Sequence, residues 1–162
     1  MKTEQRTLRL QSLPENIHQV EQLVEDICDE YNLNQSYLGC INVALTEAFT
    51  NAMEHGNKRD PEKTITITFE KRSTGLTFNI KDEGQGFDYQ SIPDVKDDGK
   101  EKTFPGRGIF LIKSLSDDVN FVGKGNEIEI GFKISSIDFE TAVDRIKKLQ
   151  DYSKTTEKVL DN

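Results

Sequence analysis

The stretch ALTEAFTNAMEHGN, residues 44–57, reads as a helix with two unlike sides. Ala44, Leu45, Ala48, Ala52 and Met53 favour helix, and Gly56 is a good stop just past its end. Leu38, Ile41, Leu45, Ala48, Phe49 and Ala52 recur at helical spacing and define the stripe that goes to the core. At roughly 100° per residue, Glu47, Asn51 and His55 fall within an arc of about 80° beside that stripe. A carboxylate, an amide and an imidazole at such an edge are placed for a ligand. The competing reading is a solvated helix face that ends in a capping histidine.

Working outward, residues 6–11 partly alternate and read as a short strand. Ser12-Leu13-Pro14-Glu15 resembles a capping box with a proline near a helix start, and Ile17, Val20, Leu23, Val24, Ile27 and Tyr31 carry that first helix to about residue 32. Asn34 caps the second helix, the one quoted. Residues 63–70 and 75–81 alternate clearly around a short KRST turn and predict a hairpin. Residues 82–105 then hold three glycines and two prolines with little periodicity, and a loop of that length in a compact domain reads as a lid or binding loop. A helix resumes on Ile109, Leu111, Ile112 and Leu115. Strands follow near 118–123 and 126–134, and an amphipathic helix near 137–152 precedes a polar tail expected to fray from Ser153.

Strands arriving as hairpins, with helices in a separate set, predict an α+β fold: a two-layer sandwich whose mixed or antiparallel sheet is covered on one face by helices. With 162 residues the chain is expected to form one domain. The net charge of −8 argues against direct binding of nucleic acid, which wants a basic face. Cys28 and Cys40 form no metal-type pair and read as buried thiols. The first residues lack an apolar signal core and no stretch is long enough for a membrane span, so a soluble cytoplasmic protein is expected.

Two glycine pairs remain. IKDEGQGF places Asp82 at a strand end before Gly84 and Gly86, and PGRGIF places Gly106, Arg107 and Gly108 at a helix start. Free N–H groups and the positive dipole end there suit phosphate. Each pair alone is what an ordinary turn would carry, and neither GxxxxGK[ST] nor a GxGxxG in a βαβ unit is present.

The ordered combination is far more specific. ExxxNxxxHG on a helix, DxGxGF after a hairpin, a long loop, and GxGIFLI resemble the GHKL ATP-binding superfamily and its Bergerat fold. EAFTNAMEHGN, DEGQGF and GRGIFLIKSLSDDV look most like the small anti-sigma-factor serine/threonine kinases of the RsbW and SpoIIAB type, over about residues 6–134. The resemblance implies a kinase domain over residues 1–136, followed by a C-terminal helix and tail over 137–162. It implies ATP and Mg²⁺ as cofactors, Glu47 as general base, and Asn51 as Mg²⁺ ligand. Asp82 would be the acceptor for the adenine amino group, with Gly84 and Gly86 the turn beside the base. Gly106, Arg107 and Gly108 would sit at the phosphates and His55 near the nucleotide. The implied partners are a sigma factor and an anti-anti-sigma antagonist protein that is phosphorylated. The alternative is a nucleotide-binding module that regulates partners without catalysis. Two positions depart from the pattern. Phe104 stands where some relatives carry arginine, leaving Lys102, Arg107 or Lys58 to supply that charge, and Asn126 stands where threonine is common. For the C-terminal helix the sequence leaves open packing on the domain, formation of a homodimer, or docking of a partner.

Overall fold

The computed structural model describes residues 4–91, 106–134 and 139–160. Strand β1 (Gln5–Gln11) leads to helices α1 (Ile17–Glu30) and α2 (Gln35–Asn51), then to the hairpin β2 (Thr64–Arg72) and β3 (Gly75–Lys81). Helix α3 (Gly106–Leu115), the hairpin β4 (Asp118–Val122) and β5 (Glu127–Lys133), and helix α4 (Phe139–Leu160) complete the chain. The strands form one open sheet in the order β1-β2-β3-β5-β4, antiparallel at every pairing.

The alternation in β2 has a direct physical outcome. Ile65, Ile67 and Phe69 all point to the helices and are fully buried, while the residues between them are only partly covered. Register carries that face across the sheet: Leu8, Ile67, Ile80, Ile128 and Phe121 lie in one cross-strand row. The row meets Val20, Val24 and Ile27 of α1 and Ile41, Leu45 and Phe49 of α2 in a single core. Phe78 sits at its centre, with ring centroids 5.3 Å from Phe69 and 6.1 Å from Phe132.

Asn34 caps α2 as expected, its side chain accepting from the Tyr37 N–H at 3.1 Å. The expected capping box at Ser12 does not form. Residues Pro14–Asn16 make a 3₁₀ turn without a side-chain cap, α1 begins at Ile17, and the Ser12 hydroxyl accepts a bond from Asn57 instead. At the other end of the chain, α4 runs to Leu160, well past the point where the tail is expected to fray. The two thiols are buried. Burial pushes Cys28 up to about 11 and Cys40 upward.

Truncating Phe78, which is fully buried between two other rings, should leave a cavity the sheet cannot close. Phe78→Ala is expected to cost about 3–5 kcal/mol in urea unfolding, with the m-value unchanged. A loss below about 1 kcal/mol would mean that the core is not organised around this ring.

Candidate functional site

Between the helices and one end of the sheet lies a cleft, open to solvent at its mouth. Its floor is Ile80 and Ile128 from the sheet, and its sides are Ala48 and Ala52 of α2 and Ile109 and Ile112 of α3. Polar groups enter at its edges from Asn51, His55, Asp82 and Asn126. An apolar cleft with a few convergent polar groups is the usual form of a small-ligand site.

Helix α2 supplies one polar edge. Glu47 and Asn51 are half-buried and lie on adjacent turns. The helix does not continue regularly to Gly56: residues Ala52–Gly56 widen into a π turn, closed by the Asn57 N–H on the Ala52 carbonyl at 2.8 Å. The constant angular step that places His55 in line with Glu47 and Asn51 therefore ends at Asn51. His55 still borders the cavity but is exposed. Such widened turns are commonly found at functional sites.

Asp82 closes the deep end. It is 8% exposed, and its Oδ1 accepts the Gly84 N–H at 2.7 Å. Its carboxylate rests directly on Gly56, where a Cβ would overlap it. Burial raises its pKa above the ordinary value, opposed by the Gly84 N–H and then by the charges of Lys124 and Lys63. The backbone on either side is pinned by one residue, since the Asp82 N–H donates to the Asn126 carbonyl at 2.9 Å and Asn126 Nδ2 donates to the Asp82 carbonyl at 3.1 Å. Gly86 follows at φ +78°, turning the chain so that the Phe87 N–H reaches the Lys124 carbonyl at 3.0 Å. Phe87 and Tyr89 then pack on Phe121, each ring centroid 5.2 Å from it. The start of the expected lid is thus anchored to the β4–β5 turn. Its remainder, 92–105, lies outside the described residues, as do Lys102 and Phe104.

The third element is the start of α3. A Cβ at Gly108 would stand 2.9 Å from Asn51 Nδ2 and 3.2 Å from Glu47 Oε2. Only glycine lets this first turn, with its free N–H groups, come so near the carboxylate and amide of α2. Arg107 beside it is exposed. Asn51 Oδ1 is buried with no hydrogen-bond partner among the described residues. A hard oxygen left in that state at a cleft edge suits a Mg²⁺ ion.

The structure thus brings Asn51, His55, Asp82 and Gly86 to one cavity, while Glu47 and the Gly108 turn pack beside Asn51 without lining it. Sequence reasoning missed Asn57, a fully buried residue whose Nδ2 donates to Ser12 Oγ at 2.6 Å and to the Thr64 carbonyl at 3.0 Å. Its Oδ1 accepts the Glu83 N–H at 2.8 Å. The signal was present as an asparagine directly after the helix-ending glycine. Reasoning from sequence also missed Tyr152, whose hydroxyl donates to Glu47 Oε1 at 2.9 Å.

This arrangement, an antiparallel sheet under helices with a cleft between a buried aspartate and a glycine-opened helix, is that of a nucleotide-binding ATPase domain. The chain belongs to the histidine kinase-like ATPase domain family, whose model matches residues 10–132. It is similar to the serine-protein kinase RsbW of Listeria monocytogenes serovar 1/2a, 27% identical over 119 residues that cover 70% of this chain and 76% of that protein. It is also similar to the serine-protein kinase RsbW of Staphylococcus epidermidis, 34% identical over 84 residues that cover 48% of this chain and 53% of that protein. Among the described residues, no helix is long and apolar enough to cross a membrane.

Burial of Asp82 has a pH signature. A carboxyl whose folded pKa is raised favours the fold while protonated and loses that contribution as pH rises through the folded value. Asp82→Asn removes the charge and keeps an oxygen to accept the Gly84 N–H. The variant is expected to be more stable than the parent at pH 8 in urea unfolding, the two curves converging as pH falls toward the ordinary aspartate value of 3.8. Equal stability at pH 8 would show that the buried charge carries no cost.

Proposed function

We propose that the chain is an ATP-dependent protein serine/threonine kinase that acts as an anti-sigma factor, binding a sigma factor and phosphorylating an antagonist protein. One observation carries the reading: the first turn of α3 packs at contact distance on the Glu47–Asn51 pair of α2. Phosphate groups bound at that turn would lie directly beside a carboxylate and an amide. Family membership and the names of the RsbW relatives support the same reading.

Position supports a role for each residue. Asp82, at the apolar end, accepts a hydrogen bond from the adenine amino group, with Ile80 and Ile128 against the base. The first turn of α3 presents N–H groups to the phosphates, and Arg107 adds positive charge at its exposed side. Asn51 would hold Mg²⁺ through its unpartnered Oδ1, and the ion when bound supplies charge neutralisation on the phosphate oxygens. Glu47 takes the proton from the acceptor hydroxyl as that oxygen bonds to the γ-phosphorus and the bond to ADP breaks. A soluble, cytoplasmic setting fits a protein that meets both a sigma factor and its antagonist.

Glu47→Ala tests the assignment. Nucleotide affinity by calorimetry should stay within about threefold of the parent, while phosphoryl transfer from Mg-[γ-³²P]ATP to proteins of the native extract should fall about 10²–10⁴-fold. Transfer at the parent rate would remove Glu47 as the base. Tight Mg-ATP binding by the parent with no labelled protein would instead favour a nucleotide-binding module without catalysis.

A further inference from the structure

The family match ends at residue 132, and α4 lies beyond it. This helix is fixed to the domain at three points along one face. Arg145 is buried and pairs with Asp117, Nη2 to Oδ1, at 2.6 Å. The other oxygen of Asp117 accepts the Lys133 N–H at 2.8 Å, so the pair ties α4 both to the α3–β4 connection and to the end of β5. One turn later Leu149 Cδ1 lies 3.2 Å from where a Cβ on Gly39 would stand, so the missing side chain on α2 lets α4 lie close. Three residues further, Tyr152 reaches Glu47 Oε1 at 2.9 Å. Positions 145, 149 and 152 share a face at helical spacing.

We propose that Tyr152 is a positioning residue for the general base, holding Glu47 Oε1 so that Oε2 faces the first turn of α3. The inference rests on the reading of Glu47 as base. A carboxylate has two equivalent oxygens and a broad terminal torsion, so an untethered base spends part of its time turned away from the proton it must take. The hydroxyl of Tyr152 fixes one oxygen from the outer side without adding charge. The oxygen left for chemistry is the one 3.2 Å from the Cβ position of Gly108. This is the base-and-orienter relation found for activated nucleophiles, here delivered by a helix outside the nucleotide-binding fold. The Arg145–Asp117 pair sets how far along α2 that hydroxyl reaches.

Tyr152→Phe keeps the ring and deletes only the donor. In steady-state release of phosphate from Mg-ATP, with water as acceptor, kcat is expected to fall about tenfold while KM stays within about twofold. ADP affinity by calorimetry and the melting temperature should match the parent, which separates orientation from loss of fold. Glu47→Gln should be far slower than either. Adding Tyr152→Phe to Glu47→Gln should change nothing further, because the tyrosine acts only through the carboxylate. A Tyr152→Phe chain with parent or higher kcat, or with its defect in KM, overturns the positioning role and leaves the base assignment standing if Glu47→Gln is inactive. A fully active Glu47→Gln overturns the base assignment itself, and the positioning role with it.

Discussion

The buried amide of Asn57 is the interaction on which the rest of the site depends. Its side chain joins Ser12 after β1, Thr64 at the start of β2 and Glu83 after β3, while its backbone N–H closes the turn that ends α2. Each of these segments lies at the end of an element, where its regular hydrogen bonding stops. A fully satisfied buried amide is rigid because any displacement leaves a donor or acceptor unmet, at about 1–3 kcal/mol for each. Asp82 is the residue before Glu83, so its place against Gly56 follows from the clamp. The Ser12 hydroxyl is drawn into this network, and for that reason it is not available to cap α1.

The opposite end of the cavity is set by a steric rule rather than a bond. Gly108 has no side chain, and α3 therefore starts against Asn51 and Glu47 instead of being held off by a methyl group. The polar edge of α2 at Glu47 and Asn51 thus meets a fixed helix start, and the π turn that follows meets a fixed loop at Gly56, while the apolar stripe beside that edge belongs to the core. A ligand that contacts both Asp82 and the α3 turn has to cross the helix-facing row of Ile80 and Ile128. That geometry favours a molecule with a flat apolar end and an anionic end.

What could be read from sequence follows the range of each interaction. The strands of both hairpins, the stripe on α2 and the Asn34 cap are local patterns, and they stand where alternation and helical spacing place them. The site motifs were legible as an ordered set, since helix edge, strand end and helix start each carry a polar residue or a glycine that local structure does not need. Long-range partners were not legible. Ser12 carries every local sign of a cap, yet its hydroxyl is engaged 45 residues away by Asn57. Asn126 reads only as a departure from threonine, whereas in the fold its side chain bonds the Asp82 carbonyl. The tail after Ser153 is polar, but it contains no glycine or proline, and α4 continues to Leu160. Tyr152 meets Glu47 across 105 residues, a separation no periodicity reveals.

The buried polar groups divide into two kinds. Arg145 and Asp117 form a shielded ion pair, and Asp117 also accepts a backbone N–H, so desolvation is offset by contacts complete within the chain. Asn57 is likewise complete. Asp82 accepts one N–H and is held at a raised pKa by its burial, and Asn51 Oδ1 has no partner among the described residues. A fold selected for stability alone has no reason to keep the second kind, because an apolar residue at either place would cost less. Both incomplete groups face the same cavity, and both complete ones lie behind its walls. The complete contacts fix the backbone and hold the incomplete groups in place; on the proposed reading, a ligand with a matching donor and a matching cation would satisfy them.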